Sequence, residues 1–274
     1  MAAVRRLAPL LLALFVLLPA CADPRVSLGS GLEEGTRLRY SLRLLADVER
    51  TLEDETRVER VEAVFRASQE VLETFASGGG RVGVTLDPIS LTVNDQPQSA
   101  GPTQDFVVLL SPDGEIEEVE EGADGEPDPL VPVGIERLLP RLRPVLPGGP
   151  VAPGDTWISG AVLSDEDGSF SIEARSRLAA LGEVAGRPAA LVRTTYTSPV
   201  DRREVFANAV ADLRGRDVGT QEAWFSLEGN LVRSEGDSVG RYAVTFRPPG
   251  GEAGVEPVEG RLRVRLRTEM RLIV

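Results

Sequence analysis

The strictest constraint lies near the end of the chain, where charged and apolar residues alternate without interruption. Leu262, Val264, Leu266, Met270 and Leu272 fall on one parity, and Arg261, Arg263, Arg265, Arg267 and Arg271 on the other. Successive side chains of a strand point to opposite faces, so a period of two predicts a strand with one buried and one solvated face. The pattern recurs in Leu38, Tyr40, Leu42 and Leu44 against Arg37, Arg39, Ser41 and Arg43. It recurs again in Phe170, Ile172, Ala174, Ser176, Leu178 and Ala180 against Ser171, Glu173, Arg175 and Arg177. Val82, Val84 and Leu86 keep one parity until Asp87-Pro88, after which Ile89, Leu91 and Val93 take the other, as at a bulge or an edge. Turn signals separate the runs: Gly78-Gly79-Gly80, Ser111-Pro112-Asp113-Gly114, Gly182 to Gly186 and Glu228-Gly229-Asn230. A chain with 42% hydrophobic and 27% charged residues can bury a core. The expected fold is therefore mainly β: a curved antiparallel sheet, a half-open barrel, with one or two short helices packed on its concave face.

Two segments leave the pattern. Val58 to Phe75 carries apolar residues at both helical and strand spacing; strand is assigned because its neighbours are strands, and helix is the alternative. Ile135, Leu138, Leu139 and Leu142 follow an i, i+3, i+4, i+7 spacing and predict a short amphipathic helix, limited by Pro140 and Pro144. Pro144 to Trp157, rich in Pro and Gly, is the strongest break in the middle of the chain. It divides a single β-rich domain, 36–274, into halves 36–143 and 144–274.

The N-terminus reads as an export signal over residues 1–20. Arg5 and Arg6 precede an apolar run, Leu7 to Leu18, too short to span a bilayer. Leu18-Pro19-Ala20-Cys21 resembles a bacterial lipobox, in which the cysteine becomes the lipidated first residue; Pro19 departs from the usual small or branched residue. Cys21 is the only cysteine of the chain. Ordinary secretion is the alternative, since Ala20-Cys21-Ala22 also suits signal cleavage. The polar, Gly-rich stretch 21–35 reads as a tether. The expected location is the bacterial cell envelope, with the membrane as partner through Cys21.

Charge narrows the function. The net charge is -13, with 43 acidic residues against 30 arginines, no lysine and no histidine. That balance lacks the basic footprint a nucleic-acid partner needs. Without histidine or lysine a serine or threonine nucleophile lacks its usual base, and one cysteine cannot build a zinc site. Asp113 to Asp128 holds nine acids and no base, without the spacing of a calcium loop. No enzyme, catalytic residue, metal or cofactor is expected. The arginine row of the last strand could grip phosphates, but a solvated face paired with neighbouring acids is the simpler expectation.

Pro150-Val151-Ala152-Pro153-Gly154-Asp155-Thr156-Trp157 resembles the P-V-x-x-G-D-x-W motif of a family of uncharacterised bacterial lipoproteins, and Gly182, Gly186, Arg187 and Ala189 echo a second element of it. More distantly, the layout is similar to lipoprotein carriers and mycobacterial lipid-binding lipoproteins. That resemblance implies a half-open barrel with an apolar concavity holding a lipid or another hydrophobic ligand. On this expectation Ile135, Leu138, Leu139, Leu142, Trp157, Phe170, Ile172 and Val264 line the concavity. A structural or partner-binding lipoprotein with a filled core is the alternative; no particular protein partner is implied.

Overall fold

The alternating runs become antiparallel strands. The structure, a computed structural model, describes residues 25–121, 138, 141–165, 168–206, 209–247 and 257–273. Among them are β1 (Arg37–Leu52), β2 (Glu55–Thr74), β3 (Gly80–Val93), β4 (Gln96–Gln98), β5 (Gln104–Leu110) and β6 (Ile116–Glu121). After a long connection follow β7 (Thr156–Asp165), β8 (Gly168–Val184), β9 (Arg187–Phe206), β10 (Ala209–Ser226), β11 (Leu231–Arg247) and β12 (Val258–Ile273). All join one sheet in the order β6-β5-β3-β2-β1-β12-β11-β10-β9-β8-β7, with β4 paired to β3 alone.

This order is two meanders joined through the first and last strands. β1 pairs with β12 over Arg39↔Ile273 to Leu52↔Gly260. The edges β6 and β7 approach to Cα separations within 8 Å although no ladder joins them. The sheet is therefore antiparallel throughout, as the alternation predicts, and open by its hydrogen bonding, with its two edge strands near one another. The break at Pro144 to Trp157 accordingly connects the two edges, across the slot, while the halves meet on the far side.

Val58 to Thr74 lies within β2, and Phe75 follows its end; the strand is paired to both β1 and β3. Two neighbouring ladders satisfy every second backbone group on each side, and this overrides the helical spacing. Its ladder with β3 shifts register at Val64/Phe65 and Val71/Glu73. Glu53 and Asp54 alone form the turn between β1 and β2.

The concave face carries one main core. Tyr40, Leu42 and Leu44 of β1, Val82, Val84 and Leu86 of β3, Val108 and Leu110 of β5, Leu178, Val192 and Phe225 of the second meander, and Leu266 and Met270 of β12 belong to it. Leu138 and Leu142, with helical backbone, pack into the same cluster. Val26 bridges to Val151 and Leu28 is buried in the core, so the chain is held to the domain from Val26 onward.

The convex face is charged. Arg265 and Arg267 share Asp237, Arg263 meets Glu49, and Arg271 meets Glu269. Carboxylates of the neighbouring strands β1 and β11, and Glu269 of β12 itself, thus pair with the arginine row. No helix among the described residues is long and apolar enough to cross a membrane.

Candidate functional site

The site is built where the connection between the edges crosses the slot. Leu146 N–H donates to Asp113 O at 2.8 Å, fixing the connection to the β5–β6 turn. The Trp157 indole N–H donates to Val145 O at 2.9 Å, fixing it to the start of β7. Between these anchors the Pro-Val-Ala-Pro-Gly-Asp-Thr-Trp motif forms a turn. Asp155 accepts from Ala152 N–H at 3.0 Å, and Gly154, at φ +105°, donates to Leu178 O at 2.7 Å. Only glycine adopts that φ without strain. In this protein the motif therefore organises a strap.

Next to Leu142 and Arg143, which precede the strap, and to Ser30, Gly31 and Leu32 of the N-terminal segment lies an apolar cavity of about 70 Å³. Leu38, Val71, Val82, Val84, Val108, Leu110, Ile116, Leu142, Leu231 and Met270 supply its apolar walls, and Thr36, Gln69 and Asn230 are among its polar residues. An apolar cavity of roughly 150 Å³ holds a benzene ring, so this one admits the end of a single chain and not a two-chain lipid. A second cavity, about 30 Å³, lies between Ile116 of β6 and Ser159, Ile172, Tyr196 and Gln221 of β7 to β10. Arg143 lines both.

The residues anticipated for the concavity are dispersed. Leu142 lines the larger cavity and Ile172 the smaller. Leu138 is buried in the core, Val264 is buried on β12, and Trp157 is partly buried and serves the strap. Phe170 stands opposite Leu163 and Val200 in β8, with its side chain outside the described part of the molecule. Ile135, Leu139 and Cys21 lie outside the described residues.

The sequence reading missed a polar half of the concave face. Asp217 and Gln221 of β10, Ser234 and Ser238 of β11, Ser176 of β8, and Thr194 and Ser198 of β9 are all buried. Ser176 and Thr194 share a hydrogen bond of 2.8 Å, and Gln221 donates to Ser234 at 2.9 Å. Asp217 accepts from buried Arg141 and from the Tyr242 hydroxyl. The Arg141–Asp217 pair ties the segment before the strap to the floor of the sheet. Burial first, then the Asp217 charge, raises the Tyr242 hydroxyl above its ordinary range, and burial does the same for Tyr196. Glycines make room for this layer. A Cβ on Gly219 would collide with the Tyr196 ring, and one on Gly240 with the Tyr242 hydroxyl and Asp217.

No family model and no curated protein matches this chain. Among solved structures it has a likeness to "Structure of DynF from the Dynemicin Biosynthesis Pathway of Micromonospora chersina". The two chains are 8% identical and superpose with a TM-score of 0.22 over 90% of this chain and 85% of that one. So low a score carries no argument about function.

Proposed function

We propose that this chain is an exported, lipid-anchored envelope protein without catalytic activity whose curved sheet holds the apolar end of a small hydrophobic ligand. The observation that carries the reading is the cavity of about 70 Å³ beside Leu142 and Arg143, walled by residues of both meanders. Burying an alkyl chain there gains about 0.8 kcal/mol per methylene. Lipobox-like Leu18-Pro19-Ala20-Cys21 supports the anchor. The small volume favours a second reading, a structural lipoprotein whose core is filled.

Calorimetric titration with octan-1-ol separates the two. The ligand reading expects one binding site per chain, lost on filling the cavity by Val108→Phe while circular dichroism is unchanged. Absence of binding to the native chain leaves the filled-core reading. For the anchor, Cys21→Ser is expected to move the protein from the membrane to the soluble fraction; persistence at the membrane rules out lipidation at Cys21.

A further inference from the structure

We propose that the cavity accepts a single-chain anionic amphiphile, a fatty-acid-like carboxylate, whose head pairs with Arg143. This rests on reading the cavity as a ligand site. Arg143 follows Leu142 into the strap and lines both cavities. Its Nη2 donates to Ser30 O at 2.8 Å and more distantly to Gly229 O at 3.5 Å. Its guanidinium carbon lies 6.0 Å from the centre of the Phe225 ring. Its Nε is sealed from solvent with no hydrogen-bond partner.

What distinguishes Arg143 is that it has no carboxylate partner among the described residues. Arg81 and Arg141 each deliver Nη2 to an acid, Glu120 and Asp217 respectively. In a chain with 43 acids against 30 arginines a counter-ion was readily available. Around Arg143, carbonyls and an aromatic face stand where an anion would be expected. Burial accordingly holds its guanidinium below its ordinary proton affinity, opposed only by the nearby Tyr40 hydroxyl. A half-buried cation whose partners are carbonyls rather than an anion is costly, and an arriving anion recovers part of that cost.

The chemistry of the anion follows from the setting. A guanidinium presents a planar fork that matches a carboxylate, and one cation balances one negative charge, whereas a phosphate monoester brings nearly two. Beside the guanidinium, Leu142 and Ile116 continue the apolar wall along which the alkyl chain would run.

The test compares sodium octanoate, octyl phosphate and octan-1-ol as calorimetric probes of the full chain at pH 8. The native protein is expected to bind octanoate at least about tenfold more tightly than octan-1-ol, as a charge-assisted contact adds that order of affinity. Arg143→Met is expected to bring octanoate down to the octan-1-ol level and leave octan-1-ol unchanged, while Arg143→Lys retains part of the preference. Should Arg143→Met fail to fold, the native octanoate-to-octanol ratio decides alone. Equal binding of the two by the native chain, or undiminished octanoate binding by folded Arg143→Met, overturns the proposal and leaves the apolar-ligand reading standing. Preference for octyl phosphate overturns the carboxylate assignment, and binding of no probe overturns both readings.

Discussion

Tyr40 is 1% exposed in the centre of β1, and burial pushes its hydroxyl up to about 12 from an ordinary value of 10.0. The neutral form is thus favoured by folding. Its contribution is complete below the unfolded value and is lost as pH rises from 10 toward 12. At about 1.36 kcal/mol per unit, this single tyrosine accounts for about 2–3 kcal/mol. Urea unfolding at pH 9 to 12 is expected to show falling midpoints, with a shallower fall in Tyr40→Phe; an identical slope in the variant would assign the loss to Tyr196 and Tyr242. Arg141 and Asp217 allow a second prediction at this scale. Both are buried, so Arg141→Met strands a carboxylate and is expected to cost about 3–5 kcal/mol in chemical unfolding. Exposed Arg265, which shares Asp237 with Arg267, is expected to cost less than about 0.5 kcal/mol as Arg265→Gln. A comparable loss at both positions would mean that the buried pair has no special role.

At the scale of the element, the β8–β9 hairpin turns through Ala185 at φ +51° and Gly186 at φ +75°. Two consecutive positive φ values define a type I′ turn, which asparagine enters more easily than alanine. Ala185→Asn is expected to raise stability by about 0.5–1 kcal/mol, read as a higher thermal midpoint; a lower midpoint would contradict the turn assignment. The strands themselves were legible because apolar parity is a direct image of the pleat: β1, β3, β8 and β12 bury most of the residues their alternation selects, Ile89 at the Asp87-Pro88 phase shift being exposed. Less legible was the polar part of the same face. Gly215, Asp217, Gly219 and Gln221 alternate in β10, and Ser234, Gly236, Ser238 and Gly240 in β11, with the same period of two. The signal was present, but a reading that follows only apolar residues cannot see a face whose burial is satisfied by hydrogen bonds and by tyrosine rings lying over glycines. Most of the cavity's lining was not legible for a different reason. Its walls come from β1, β2, β3, β5, β6, β11 and β12 together with Ser30, Gly31, Leu32, Leu142 and Arg143, and no local pattern reveals which strands a sheet will bring to face one another.

On the scale of the molecule, two meanders zip together through β1 and β12, and the long connection straps the opposite slot. Pairing the first long strand with the last requires closing nearly the whole chain, which predicts slow folding. It also explains how the halves can differ inside. The first meander supplies aliphatic walls and the second a polar floor, and Arg143, at the start of the strap, lines both cavities where they meet. The central claim is that this junction holds a ligand. Native mass spectrometry of the full chain gently extracted from its own membrane tests it most directly. The account predicts a mass excess of one small amphiphile per chain, released on denaturation and absent from Val108→Phe. A native mass equal to that of the anchored chain alone, together with no uptake of added octanoate or octan-1-ol, would contradict it.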